Sequence, residues 1–172
     1  GRAVRVGGTA PGGSSVYNTM DYVTISTTSS AIDFGDLTLG RTQASTCASS
    51  TRGLIQGGTS IPSVHATIDY VTISSSGGAN DFGNLSQSVR AMSQGSSNNI
   101  IGVRYGGYGG SVGGAPDTSI SNVIDFVTFA TTGDAINFGS LTSNGTGQGY
   151  AIHGCQSPTR GIAYGGANLA AK

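Results

Sequence analysis

The sequence predicts an all-β protein built from tandem four-stranded units, and three observations carry that expectation. Glu is absent and Lys172 is the only lysine, so the residues that usually clothe a helix surface are missing. Val, Ile, Thr, Tyr and Phe, which suit a pleated surface, alternate with turn-forming clusters rich in Gly, which supplies 30 of the 172 residues. Above all, one pattern returns three times along the chain.

The pattern has fixed and variable parts. Met20-Asp21-Tyr22-Val23-Thr24-Ile25 returns as Ile68-Asp69-Tyr70-Val71-Thr72-Ile73 and as Ile124-Asp125-Phe126-Val127-Thr128-Phe129. Twelve residues after each Asp stand Asp33-Phe34-Gly35, Asp81-Phe82-Gly83 and Asn137-Phe138-Gly139. Glycine pairs at 7–8, 57–58, 106–107 and 165–166 follow short apolar stretches, at steps of 50, 49 and 59 residues. Thr51-Arg52-Gly53 and Thr159-Arg160-Gly161 precede two of these stretches, Gly1-Arg2-Ala3 echoes them, and Ile101 stands where the third arginine would fall. The chain therefore reads as one repeat domain, 1–172, with units at about 1–50, 51–99 and 100–158 and a terminal strand at 159–172.

Each unit reads as four strands. The first ends at the glycine pair, and the second is the Asp-aromatic-Val-Thr run. A tight turn follows at 27–30, 75–78 or 131–134, where Gly, Ser and Thr fit a hairpin. The third strand holds Phe-Gly and ends at Leu37, Leu85 or Leu141, and the fourth covers roughly 42–48, 91–97 and 149–155. Side chains alternate across a strand, so Ile68 and Tyr70 share one face while Asp69, Val71 and Ile73 share the other. Both faces are substantially apolar and both need cover. Four-stranded units stacked face to face provide it, in a propeller-like arrangement. The stretch between glycine pair and Asp varies in length from unit to unit, as a connection on an exposed rim would.

Charge and composition exclude several function classes. Eight basic residues balance eight acidic ones, which leaves no cationic patch for nucleic acid. No apolar run reaches the roughly 18 residues of a membrane span. Two cysteines, Cys47 and Cys155, make no disulfide framework; they stand at equivalent places in their units and read as small buried side chains.

Units of the form Thr-Arg-Gly-apolar-apolar-x-Gly-Gly, Ile-Asp-Tyr-Val-Thr-Ile and Asp-Phe-Gly-x-Leu resemble the repeats of virion structural proteins of tailed phages, notably marine and cyanobacterial ones. The glycine pair after a strand also resembles kelch repeats, which build propeller blades of about this length. The resemblance runs from Gly1 to about Gly166. It implies kelch-type blades and a place in the virion, as a tail fibre, knob or capsid fibre that touches the host surface. Two departures stand out: the chain has no Trp, and its three units are fewer than the four or more blades that close a propeller. Other chains complete the ring, or the chain is part of a longer one, or the units stack in another β architecture.

Motifs that suggest chemistry have simpler structural readings. Asp33-Phe34-Gly35 matches a kinase magnesium motif as a string, but it recurs in every unit and becomes Asn137-Phe138-Gly139 in the third. Phe then packs in the core and Gly permits a close backbone approach. The glycines from 106 to 110 lack the Gly-Lys-Ser/Thr continuation of a phosphate-binding loop. Asp21, Asp69 and Asp125 point toward an apolar side and need partners, either backbone N–H groups of the glycine-pair turn or a repeat arginine such as Arg52. His65 and His153 are scattered and build no zinc or copper site.

No catalytic residue, metal or cofactor is expected. The expected contact residues are aromatic or polar ones on the variable connections: Tyr17, His65, Tyr108 and Asp117. The expected partners are other virion proteins, further copies of the chain and a host-surface glycan, with no nucleic acid and no membrane insertion. The alternative reading is a secreted or cell-surface adhesin that binds carbohydrate or protein.

Overall fold

The lack of Glu and of all but one Lys is matched by a structure whose described elements are all strands. The computed structural model describes residues 1–13, 15–60, 62–89, 95–109, 120–142 and 150–167. The first sheet contains β1 (Arg2–Thr9), β2 (Val16–Thr24) and β3 (Ile32–Asp36), in that order. A second, four-stranded sheet runs β4 (Ser45–Ala48), β5 (Arg52–Gln56), β8 (Thr67–Thr72), β9 (Asn80–Asn84). Between β5 and β8 a small hairpin, β6 (Thr59–Ser60) with β7 (Ser63–Val64), fills the variable connection. The third sheet runs β10 (Ser96–Ser97), β11 (Ile101–Tyr108), β12 (Ile120–Thr128), β13 (Ile136–Ser140), and a terminal hairpin pairs β14 (Tyr150–Gln156) with β15 (Gly161–Ala167). Every ladder is antiparallel.

Two features of the expected unit are corrected. The fourth strand of a unit does not pair within it. Instead β4 pairs with β5 and β10 with β11, so each opens the sheet of the next unit. The connection after the Asp-aromatic strand is not a tight hairpin turn either. It spans residues 73–79 between β8 and β9, turning through Ser75 N–H to the Thr72 carbonyl. Its second half then leaves its own sheet. Gly77 and Ala79 donate to the carbonyls of Phe34 and Asp36 on the first sheet, at 2.6 and 2.7 Å. Gly133 and Ala135 likewise donate to Phe82 and Asn84, both at 2.7 Å. A two-residue turn would forfeit this link between sheets.

Face-to-face packing satisfies the two apolar faces. One core joins Met20, Phe34 and Leu37 from the first unit to Ile55 and Val71 of the second sheet. The other joins Leu54, Ile68, Phe82 and Leu85 of the second unit to Val127 and Phe129 of the third sheet. Within each sheet the recurrent aromatic meets the recurrent Phe edge-on, at 5.9 Å for Tyr22–Phe34 and 6.0 Å for Tyr70–Phe82.

Glycine is required at two points of each unit. The first residue of the pair, with φ of 55° at Gly7, 65° at Gly57 and 55° at Gly106, is left-handed and breaks the register of the long first strands. The glycine after Phe lets the next unit's connection come close: a Cβ on Gly83 would collide with the backbone of Gly133, whereas the same atom on Gly139 meets open space. Both have similar φ, 144° and 149°. Gly83→Ala is therefore expected to lower stability by about 1–3 kcal/mol more than Gly139→Ala, a difference that urea unfolding of both variants measures.

Candidate functional site

The recurrent aspartates are the most unusual groups in the fold, because two of them are fully buried. Asp69 and Asp125 are 0% and 1% exposed. A carboxylate in such a place needs a cation and further donors. Asp125 has both: Arg104 Nη2 lies 2.6 Å away on the neighbouring strand β11, and Ser86 Oγ of the preceding unit donates at 2.7 Å. Burial pushes the Arg104 guanidinium below its ordinary range, and Asp125 opposes that shift. Arg104 also donates to the Gly106 carbonyl, which ties the ion pair to the glycine-pair bulge.

Asp69 solves the same problem with a different arginine. Its cross-strand neighbour on β5 is Ile55, not Arg. Arg41, on the segment between β3 and β4, reaches over from the preceding unit and places Nη2 2.8 Å from Asp69. Thr38 of that unit adds two bonds, from its N–H at 3.1 Å and its hydroxyl at 2.6 Å. Arg41 and Val89 occupy equivalent places: Gly8 donates to the carbonyl of one and Gly58 to that of the other. The second-to-third interface thus exchanges Arg41/Ile55 for Val89/Arg104, one arginine per buried aspartate in both cases. On the first sheet Asp21 pairs with Arg5 at 2.9 Å, and this pair is open to solvent.

Arg52 does not pair with an aspartate, contrary to expectation. Its guanidinium stacks 4.7 Å from the Tyr70 ring centroid and donates to the carbonyl of Phe129 in the next unit. Arg2 does the same with Tyr22, at 4.4 Å, and the carbonyl of Ile73. The planar guanidinium serves as a clip between sheets. The sequence signal that distinguishes the two kinds of arginine is strand parity. Arg5 and Arg104 stand opposite the Asp, whereas Arg2 and Arg52 stand opposite the following Thr.

The expected contact residues fall on one end of successive sheets. Tyr17 is 43% exposed but stands on strand β2, opposite Gly8, and not on a connection as expected. His65 follows β7 at the place equivalent to Tyr17: Val89 donates to the His65 carbonyl as Arg41 donates to that of Tyr17. Tyr108, half-buried, closes β11 beyond the third glycine pair. Asp117 lies outside the described residues. The structure thus gathers Tyr17, His65 and Tyr108 at the glycine-pair end, on three consecutive sheets, and none of them lines the cavity of about 210 Å³ between the first and second sheets.

His65 accepts or donates a 2.6 Å hydrogen bond with Ser60 Oγ. A Ser–His contact of this length is the first half of a nucleophile–base pair. The second half, a carboxylate on the far ring nitrogen, is missing among the described residues. Desolvation, then the charge of Arg41, push the imidazole below its ordinary value. What the contact does hold is the short β6–β7 hairpin. Burial pushes the Cys47 thiol up to about 12, out of nucleophile range, whereas Cys155, expected to be buried like it, is exposed on the terminal hairpin. Among the described residues, no group of His, Cys and Asp is arranged to hold a metal ion, and no helix is long and apolar enough to cross a membrane.

Comparison with protein-family models and with curated proteins finds no match to the chain.

Proposed function

We propose that the chain is a structural component of a phage virion appendage, a tail fibre, knob or capsid fibre, whose units stack as propeller-like blades completed by other chains. The observation that supports this most is how the units join. Each interface combines an apolar core, an arginine–aspartate pair buried to within 1% exposure and a backbone ladder between sheets. Such joints resist relative motion, because sliding one sheet on the next would strand a buried charge. Rigidity of that kind suits a scaffold that presents its variable connections at one end. Tyr17 and His65, equivalent in position and different in chemistry, would then make weak host-surface contacts repeated around an assembly. Tyr17 offers an exposed ring for stacking on sugar.

The test is to locate the chain in purified particles of the phage that encodes it, by immunogold labelling and by mass spectrometry of the particle. Gold on the tail or on capsid fibres is expected. Recovery of the chain only from a cell envelope or culture medium would overturn the virion reading in favour of an adhesin. In labelled particles, Tyr17→Ala with His65→Ala is expected to slow host adsorption several-fold while the melting temperature falls by no more than a few degrees, from loss of the Ser60 bond. Unchanged adsorption would remove these two residues from the contact surface.

A further inference from the structure

The two internal interfaces are built from the same parts, and each end of the stack displays one unmatched half. At an interface the preceding unit offers a Phe, two carbonyls of its Phe-Gly strand and a hydroxyl: Phe34, 2% exposed, with Thr38, then Phe82, 3% exposed, with Ser86. The following unit offers two N–H groups of its connection, a Val and an Asp: Gly77, Ala79, Val71 and Asp69, then Gly133, Ala135, Val127 and Asp125.

The third sheet carries the first set with no following connection bonded to it among the described residues. Phe138 is 62% exposed, Thr142 is exposed and Gly139 faces open space. The first sheet carries the second set in the same state. Ile25, equivalent to the 3%-exposed Phe129, is 70% exposed, and Asp21 retains a side-chain exposure of 36%. Among the described residues, no backbone bond of the interface kind reaches Ser29, Ala31, Phe138 or Ser140, which are the equivalents of the bonded groups.

Charge matches as well. Each internal interface holds one arginine per aspartate, from the preceding loop or from the sheet itself. Asp21 already has Arg5, so its partner unit must bring no arginine at the position of Arg41 and Val89. In sequence the third unit has no arginine from 143 to 149, the stretch that follows Leu141 as Arg41 follows Leu37.

We infer that the first sheet of one copy docks on the third sheet of a second copy, head to tail, by strand exchange. This names the self-partner within the scaffold reading proposed above. Exchange is required because β15 already lies over β10 and β11, where Gly161 sits against Ser96 and the Tyr105 hydroxyl. β15 occupies the place of an incoming β1: Arg160-Gly161-Ile162-Ala163-Tyr164-Gly165-Gly166 aligns with Arg2-Ala3-Val4-Arg5-Val6-Gly7-Gly8. Arginine decides which strand stays. Asp21, once buried, keeps Arg5 if β1 remains and faces Ala163 if β15 replaces it. So β15 is released, and β1 pairs with β14 of the other copy.

That pairing supplies what the first sheet lacks relative to the second and third, a strand on the free side of β1. The cavity beside β1, about 210 Å³ and lined by Arg2, Val4 and Val6 against Gly53, Val71 and Cys47, is the space it fills. The second interface shows the fit. There Cys47 lies against Gly102, the equivalent of Gly53, and Cys155 is the equivalent of Cys47. One adjustment is needed, since the Cβ of Ala3 replaces Gly161 beside the Tyr105 hydroxyl, the movable end of that side chain.

Sedimentation velocity on the full chain is expected to show concentration-dependent head-to-tail oligomers, which end at a ring where the rotation from sheet to sheet closes and extend as a series where it does not. Phe138→Asp blocks the tail and Ile25→Asp the head. Each variant alone is expected to sediment as a monomer, and a mixture of the two as a one-to-one dimer. Both sites are exposed, so circular dichroism should match the parent chain and melting temperature should fall by no more than a few degrees. Ile162→Pro, which weakens β15 pairing, is expected to tighten association several-fold. A parent chain that stays monomeric at its highest soluble concentration, or a mixture that yields no dimer, overturns head-to-tail docking. Weaker association of Ile162→Pro overturns the exchange. Oligomers without labelled particles would remove the virion assignment and leave this inference standing; labelled particles with a monomeric chain would do the reverse.

Discussion

Asp125→Ala is expected to destabilise the protein by about 3–5 kcal/mol, because it leaves the Arg104 guanidinium, fully buried, without its counter-charge. The cost lies in the stranded cation more than in the lost attraction, since a buried pair offsets much of its own desolvation. Asp21→Ala provides the comparison. The Arg5–Asp21 pair has side-chain exposures of 59% and 36%, and solvent screens it, so that variant should lie within about 1 kcal/mol of the parent chain. Urea midpoints of the two variants decide the matter.

The exchange between interfaces sharpens this prediction. Arg41→Val should cost nearly as much as removing the carboxylate, since Asp69 is then left buried beside Ile55. Ile55→Arg alone should also destabilise, by crowding a second cation into a filled site. Together the two changes recreate the Val89/Arg104 arrangement, and the double variant should recover more than half of the summed loss. Strict additivity of the two single effects would show that the interfaces are not equivalent.

Phe82→Ala is expected to cost about 3–5 kcal/mol, and Phe138→Ala about 1 kcal/mol or less. The residues are repeats of one another, and each makes the same edge contact with its sheet's aromatic, Tyr70 at 6.0 Å or Phe126 at 5.9 Å. They differ in what covers them. Phe82 is 3% exposed beneath the third sheet and belongs to the core with Leu54, Ile68 and Val127, while Phe138 is 62% exposed. Removing the first ring opens a cavity in a packed interface, and removing the second mainly uncovers one ring edge. Equal losses at the two positions would mean that stacking contributes little and each sheet stands on its own.

Much of this architecture is legible in the chain itself. The repeat, the all-β class and the two apolar faces of the Asp-aromatic-Val-Thr strand follow from residue order, because strand alternation is local geometry. The roles of Phe82 and Gly83 were readable in the same way, from an aromatic next to a residue that permits close approach. Sequence singled out Tyr17 and His65 as residues of the variable connections, but Tyr17 stands on β2 itself, and their equivalence was hidden because the spacing from the preceding glycine pair differs.

What local pattern could not reveal is how one unit meets the next. The strand at 45–48 reads as the end of a unit and opens the next sheet. The connection at 73–79 reads as a turn and forms an inter-sheet ladder. Arg52 and Arg41 look alike as isolated arginines, yet one clips an aromatic and a carbonyl while the other neutralises a buried aspartate 28 positions downstream. Periodicity along the chain determines which groups face the core. Which arginine reaches which aspartate is decided only when sheets stack, because a buried charge selects its partner by distance in space and not by order in sequence.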